Sequence, residues 1–249
     1  MELDKIYLGD AYELIKKIPD KSIDLIMTDP PYAIPNLNVG NGILRDPVKA
    51  NHVNEMKENG LGKSLDLKIL DEFMRVMKIP NCYIWCNKEQ IYDYMTYFVK
   101  ERKCKFEIII WAKNNPIPFC GGHYLADKEY CLYFYKGAKL QGDYNSLKTY
   151  YFTNINQEDK NKFKHPTIKP EEIIKTLIKN SCKNGVVLDP FVGSGTTCIA
   201  ARKLGLNYIG FEINEKFYKI AIDRLNGIDQ NGRMNLFDIG ESANGTLWY

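Results

Sequence analysis

The amino-acid sequence predicts an α/β fold: a doubly wound, mostly parallel sheet with helices on both faces. Three observations predict it. Short apolar runs alternate along the chain with stretches whose apolar residues recur at helical spacing, the pattern of strands joined by crossover helices. Two of those runs end abruptly, in Thr28-Asp29-Pro30-Pro31-Tyr32 and in Asp189-Pro190-Phe191-Val192-Gly193-Ser194-Gly195, and in open sheets of this kind ligands bind beyond such strand ends. No internal repeat competes with this reading.

The elements follow in order. Tyr7-Leu8-Gly9-Asp10 reads as a short strand, followed by a helix through Leu14, Ile15 and Ile18 that stops at Pro19. Ile23 to Met27 is the next strand. Asp66 is placed to cap a helix whose face carries Leu67, Leu70, Phe73, Met74 and Met77. Cys82 to Cys86 is a strand and Ile91 to Val99 a helix; Phe106 to Trp111 and Tyr130 to Tyr135 are strands rich in β-branched and aromatic residues. Pro170 opens a helix through Ile173, Ile174, Leu177 and Ile178. Val186 to Leu188 is a strand, Thr197 to Leu204 a helix stopped by Gly205, Tyr208 to Phe211 a strand and Lys216 to Leu225 a helix. Ala33 to Lys63 and Gly137 to Lys164 are polar and lack periodicity, and the tail from Asn226 reads as loosely ordered or as a small appendage.

Composition narrows the class. At 249 residues the chain buries a sizeable core, and 45% hydrophobic with 26% charged residues is ordinary for a soluble globular protein. No apolar run approaches the roughly 18 residues that span a bilayer, and Met1-Glu2-Leu3-Asp4-Lys5 lacks the form of a signal peptide, so a cytoplasmic location without membrane contact is expected. The seven cysteines are scattered, no Cys-x-x-Cys pair exists, and His52, His123 and His165 stand far apart. Free, buried thiols and no metal site are expected. A net charge of +3 does not by itself argue for nucleic acid. Lys148, Lys160, Lys162, Lys164 and Lys169, interleaved with Tyr144, Tyr150, Tyr151 and Phe152, suit a phosphate backbone with exposed bases, or equally a solvated lysine-rich loop.

The first turn carries chemistry. Two consecutive prolines remove two backbone donors and fix φ twice, so the sheet ladder cannot continue. Asp29 and the Pro30 carbonyl accept N–H bonds, Pro31 stiffens the turn and Tyr32 offers a stacking face. The set suits a planar, amino-bearing group. In the second turn, Gly193 and Gly195 allow positive φ and a close backbone approach, and the helix beyond presents N–H groups to an anion. A phosphate-binding P-loop needs Lys before the Thr, where Gly195 stands. A dinucleotide fingerprint needs a glycine where Cys198 stands; that alone leaves a dehydrogenase open, because Glu212 ends the next strand at the spacing of a ribose-binding acid.

Taken together these residues resemble the S-adenosylmethionine-dependent DNA amino-methyltransferases, in the β-group order: the Asp-Pro-Pro-Tyr motif comes first, the cofactor turn later, and target recognition between them. The resemblance implies a Rossmann-like methyltransferase fold, a single catalytic domain over 1–249, and inserted target-recognition segments at 36–63 and 138–164. It makes Asp29, Pro30, Pro31 and Tyr32 the catalytic set. Asp189, Phe191, Gly193 and Gly195 match the cofactor turn, Thr196 and Thr197 lie toward the methionine end, and Glu212 followed by Ile213 matches the ribose-binding acid. Asp10 and Ala11, in Gly9-Asp10-Ala11, match the segment whose Asp faces the cofactor's adenine. His165-Pro166-Thr167-Ile168-Lys169-Pro170 matches an element bordering the methionine moiety, so Lys169 is expected at the cofactor carboxylate; a surface lysine ahead of a helix is the other reading.

The chemistry implied is direct methyl transfer to an exocyclic amine of an extruded base, without metal or covalent intermediate. Asp at position 29, rather than the Ser frequent in β-group cytosine-N4 enzymes, favours adenine N6; cytosine N4 is the alternative. RNA or protein-glutamine methylation is disfavoured by motif order, and a non-catalytic nucleic-acid-binding relative by the intact motifs. DNA is the expected partner, with a homodimer and a cognate restriction endonuclease as further ones.

Overall fold

The computed structural model describes residues 1–31, 65–116, 124–154 and 168–228. Among them, eight strands form one sheet in the order β1 (Lys5–Leu8), β8 (Asn207–Glu212), β7 (Val186–Asp189), β2 (Leu25–Thr28), β3 (Asn81–Cys86), β5 (Lys128–Tyr135), β4 (Lys105–Lys113) and β6 (Tyr150–Thr153). Neighbours are parallel except where β5 meets β3 and β4, so β5 runs against the other strands of this sheet. The mostly parallel sheet expected from the alternation is present.

The helices are α1 (Ala11–Leu14), α2 (Ile69–Val76), α3 (Ile91–Met95), α4 (Glu171–Ser181), α5 (Thr196–Lys203) and α6 (Glu215–Leu225). Strand side chains alternate between faces, and each face has its own core. Leu25, Met27, Tyr83, Trp85, Cys131, Tyr133 and Val187 pack with α4, α5 and α6. Ile26, Cys82, Ile84, Leu132, Phe134, Leu188 and Phe211 pack with α1, α2 and the segment after α3. Cover on both faces is why β2, β3 and β7 read as continuous apolar runs. Each fully buried Leu, Ile or Phe contributes roughly 1.5–3 kcal/mol before entropy is charged.

Four local differences from the sequence-based expectation have physical causes. Helix α1 covers only Ala11–Leu14 and tightens into a 3₁₀ turn at Ile15–Lys17, since Pro19 blocks any continuation. The helix from Ile91 is α-helical to Met95 and then widens into a π-turn over Thr96–Glu101. Ile23 lies ahead of β2, making an isolated bridge to Met77. Tyr150–Thr153, inside the stretch read as irregular, is a strand beside β4, last in the sheet among the described residues. Six cysteines are buried and free, and Cys120 lies outside the described residues. No described helix is long and apolar enough to cross a membrane.

The topology brings distant motifs together. The late strands β7 and β8 insert between β1 and β2, so the C-terminal ends of β1, β8, β7, β2 and β3 form one continuous rim.

Candidate active site

Along that rim the strands end at or just before Asp10 (β1), Glu212 (β8), Asp189 (β7) and Asp29 (β2). Adjacent strands lie about 4.8 Å apart, so Glu212 and Asp29 stand roughly 10 Å apart along the rim. The two turns are joined by a buried bond: Thr28 Oγ1 donates to Asp189 Oδ1 at 2.8 Å, across 161 residues of sequence. Burial pushes the Asp189 carboxyl up to about 7; bonds from Thr197, Thr28 and the Phe191 N–H offset part of that, and the charge of Asp29 adds to it.

Asp29 follows the last residue of β2, where the two prolines end pairing. Pro30 is buried, and the side-chain amide of buried Gln90 donates to the Pro31 carbonyl at 3.4 Å. Gln90 is itself held by reciprocal bonds with Asn87. The double-proline turn is therefore anchored to the loop after β3. Cys86, at the end of β3, has its thiol pushed up to about 12, by burial first and then by the nearby Asp29 charge. It stays protonated at neutral pH.

The glycine turn is equally fixed. Gly193 and Gly195 take φ of 53° and 88°, as the turn requires. A Cβ at Gly195 would stand 3.1 Å from Ala221 Cβ and 3.2 Å from its Cα, so this glycine also lets the turn approach α6. The Gly193 N–H donates to Glu212 Oε2 and the Asn214 N–H to Oε1, both at 2.8 Å. Burial raises the Glu212 carboxyl, with these backbone donors opposing the shift. From α6, buried Arg224 donates to the Ser194 carbonyl at 2.5 Å and to Thr196 Oγ1 at 3.2 Å. Thr196 and Thr197 are both buried at the start of α5. On the far side, the Gly9 N–H donates to the Glu212 carbonyl, Asp10 caps α1 by accepting from the Tyr12 N–H at 2.9 Å, and Ala11 is buried behind it. Ile213 is 68% exposed at the end of β8.

In contrast to exposed Lys148, Lys169 lies elsewhere than a surface lysine would. It is 7% exposed and its ammonium pairs with Asp29 Oδ2 and, at 3.1 Å, with Glu129 Oε2. Its Nζ stands 5.4 Å from the centroid of the Trp85 ring. Burial disfavours the ammonium, but Asp29 and Glu129 outweigh it and hold the group above the ordinary lysine value.

This rim sets the Asp29 turn and the glycine turn side by side. A family model described as DNA methylase matches residues 23–223. The chain belongs to the DNA methylases, of the class that modifies amino nitrogens N6 or N4.

Relatives of this DNA methylase are similar over nearly its whole length. It is 30% identical to the type II methyltransferase M2.LlaDCHI of Lactococcus lactis subsp. cremoris, over 88% of this chain and 87% of that one. It is 31% identical to the type II methyltransferase M.HinfI of Haemophilus influenzae, over 92% of this chain and 70% of the other. Among solved structures, the M1.HpyAVI–SAM complex superposes with a TM-score of 0.64 at 26% identity, covering 89% of this chain and 99% of that one. The cytosine-N4-specific PvuII DNA methyltransferase, at 16% identity and a TM-score of 0.64 over 88% of this chain and 84% of its own, shares the fold.

Several residues that brace the two turns carry no signal in the sequence. Gln90, Glu129 and Arg224 make contacts that tertiary packing creates; each is a buried or part-buried polar group, and no local spacing marks it. Tyr32, the segment 36–63 and His165 to Thr167 lie outside the described residues, as does the 155–164 part of the second recognition segment.

Proposed function

We propose that this DNA methylase transfers the methyl group of S-adenosylmethionine to N6 of adenine in DNA, with Asp29 as the acceptor that orients the amine. The observation that carries the reading is the junction of the two turns: Asp29 leaves β2 beside the glycine turn of β7, and the Thr28–Asp189 bond fixes one to the other.

The residues present fit the cofactor. The glycine turn, with positive φ at Gly193 and Gly195, permits the close backbone approach that a nucleoside conjugate needs. Glu212 sets a carboxylate at the rim, suited to ribose hydroxyls, and exposed Ile213 supplies an apolar face for a purine ring. Asp10 and Ala11 flank this corner, Phe191 lies between the two ends, and Thr196 and Thr197 open α5. When bound, the cofactor supplies an electrophilic methyl on a sulfonium sulfur. The M1.HpyAVI–SAM complex supports this assignment.

The chain's own part is positioning. A base inside a duplex must leave the stack before its amine is reachable. Asp29 and the Pro30 carbonyl then accept the amine hydrogens, and Tyr32 stacks on the ring, recovering roughly 1–3 kcal/mol. Holding the nitrogen in line is worth several orders of magnitude in rate. Lys169 serves Asp29 in this reading, in place of the cofactor carboxylate. Target reading falls to 36–63 and 138–164. The described part of the latter supports that role, since it presents Tyr144, Tyr150 and Phe152 at 88%, 55% and 65% exposure, with exposed Lys148 nearby. A second copy of the chain and a cognate restriction endonuclease complete the proposed partners, the latter supported by the type II designation of the relatives.

Methylation-sensitive sequencing of DNA from cells expressing the chain tests base and site together. N6-methyladenine at a defined sequence is expected. N4-methylcytosine alone overturns the base assignment, and unmodified DNA overturns the transfer itself.

A further inference from the structure

A line of four alternating charges runs along the C-terminal rim, from the catalytic turn toward the far edge of the sheet. Asp29 on β2 pairs with Lys169, which precedes α4; Lys169 pairs with Glu129 on β5; Glu129 pairs with Lys113 at the end of β4. Lys169 thus spans the end of β3, with the Trp85 ring as its floor. Glu129 divides its oxygens between the two lysines: Oε1 pairs with Lys113 at 2.7 Å, and Oε2, sealed from solvent, pairs with Lys169 at 3.1 Å by charge alone, without the alignment of a hydrogen bond.

We propose that Glu129 is a positioning residue for methyl transfer, acting through Lys169 to fix the carboxylate of Asp29; this rests on Asp29 being the group that orients the target amine. A lysine on its flexible four-carbon stem has no preferred seat of its own. Here the ammonium is clamped between two carboxylates over an aromatic face. Lys113 holds Glu129, Glu129 holds Lys169, and Lys169 holds Asp29 Oδ2. The charge of Glu129 sets where the ammonium rests, and the hydrogen bond from Lys169 sets the direction of Asp29.

Removing Glu129 takes away one of the charges that place the ammonium, which then shifts toward Asp29 and draws that carboxylate from its set direction. A displacement of about 1 Å at the reacting centre costs on the order of 100-fold in rate. Cofactor contacts at the glycine turn and at Glu212 lie on other strands and are not disturbed.

The test compares Glu129→Gln, Glu129→Asp and Asp29→Ala in the full chain, by steady-state turnover on unmodified DNA, calorimetric cofactor affinity and thermal midpoint. Glu129→Gln is expected to lower kcat about 10- to 100-fold, while KM for DNA and Kd for the cofactor stay within about twofold; Glu129→Asp, which keeps the charge, recovers most of the rate. An unchanged kcat in Glu129→Gln overturns the proposal, as does a loss shared by KM and Kd. So does a Glu129→Asp rate no better than that of Glu129→Gln. Should Glu129→Gln fail to fold, Lys113→Met, which removes the outer anchor of Glu129, decides in its place: a kcat reduced with KM and Kd preserved supports the role, and a wild-type kcat or a matching loss of affinity refutes it. Asp29→Ala separates the two levels: if it retains turnover, the reading of Asp29 fails, whereas an inactive Asp29→Ala beside a fully active Glu129→Gln sinks only the role of Glu129.

Discussion

At the residue scale the site is governed by what burial does to charge. Lys169 sits where an unpaired ammonium would be prohibitively costly, so its two carboxylates are a condition of its being there. Asp29→Ala is expected to reduce turnover at least about 1,000-fold while calorimetric cofactor affinity stays within about threefold, because Asp29 pairs with Lys169, whereas the residues proposed to hold the cofactor lie at the glycine turn and Glu212. A parallel loss of affinity in a folded protein would contradict that division of labour. Glu212→Gln keeps the shape of the acid but weakens its acceptor role toward Gly193 and Asn214, and is expected to weaken cofactor binding about 10-fold or more with a smaller change in kcat. Asp29 and Glu212 were legible as sequence because each ends an apolar run in a recognisable turn. Glu129, Gln90 and Arg224 were not: their partners come from elements far away in the chain, and a lone polar residue carries no periodic signal.

At the element scale the glycine turn is held by packing as much as by its own conformation. Gly195 combines a φ of 88° with contact to α6, so Gly195→Ala is strained twice. It is expected to destabilise the fold by about 2–4 kcal/mol in urea unfolding, and a loss under about 0.5 kcal/mol would contradict the packing argument. Strands β2, β3, β5 and β7 were legible because a covered sheet demands unbroken apolar runs. β6 was not, since Tyr150-Tyr151-Phe152-Thr153 has no apolar–polar alternation and lies in a basic, polar stretch. The π-turn after α3 was hidden for another reason: Tyr97 and Phe98 are buried there by tertiary packing, and a helical apolar pattern does not distinguish a wide turn from a regular one.

At the scale of the whole molecule, strand order converts two distant motifs into one site. Alternation predicted the fold class, but the insertion of β7 and β8 between β1 and β2 is a global outcome that no local pattern encodes. The same rim sets how stability varies with pH. Burial raises the Glu129 carboxyl, yet Lys169 and Lys113 prevail and hold it at about 2, below the ordinary glutamate value. Its stabilisation is therefore present above about pH 4.5 and lost as pH falls toward 2. Asp189 has the opposite sign: held at about 7, it keeps a proton that the unfolded chain has released, so stability falls as pH rises from about 4 to about 7, by at most about 1.4 kcal/mol per pH unit. Asp189→Asn is expected to flatten that upper limb, and urea midpoints at pH 5 and pH 8 check it; an unchanged slope contradicts the assignment. Transfer to adenine is read from the product: incubate the purified chain with methyl-labelled S-adenosylmethionine and unmodified DNA, hydrolyse the DNA, and identify the labelled nucleoside. Label in N6-methyldeoxyadenosine, absent with Asp29→Ala, is the predicted result; label only in N4-methyldeoxycytidine, or no label in DNA, would contradict it.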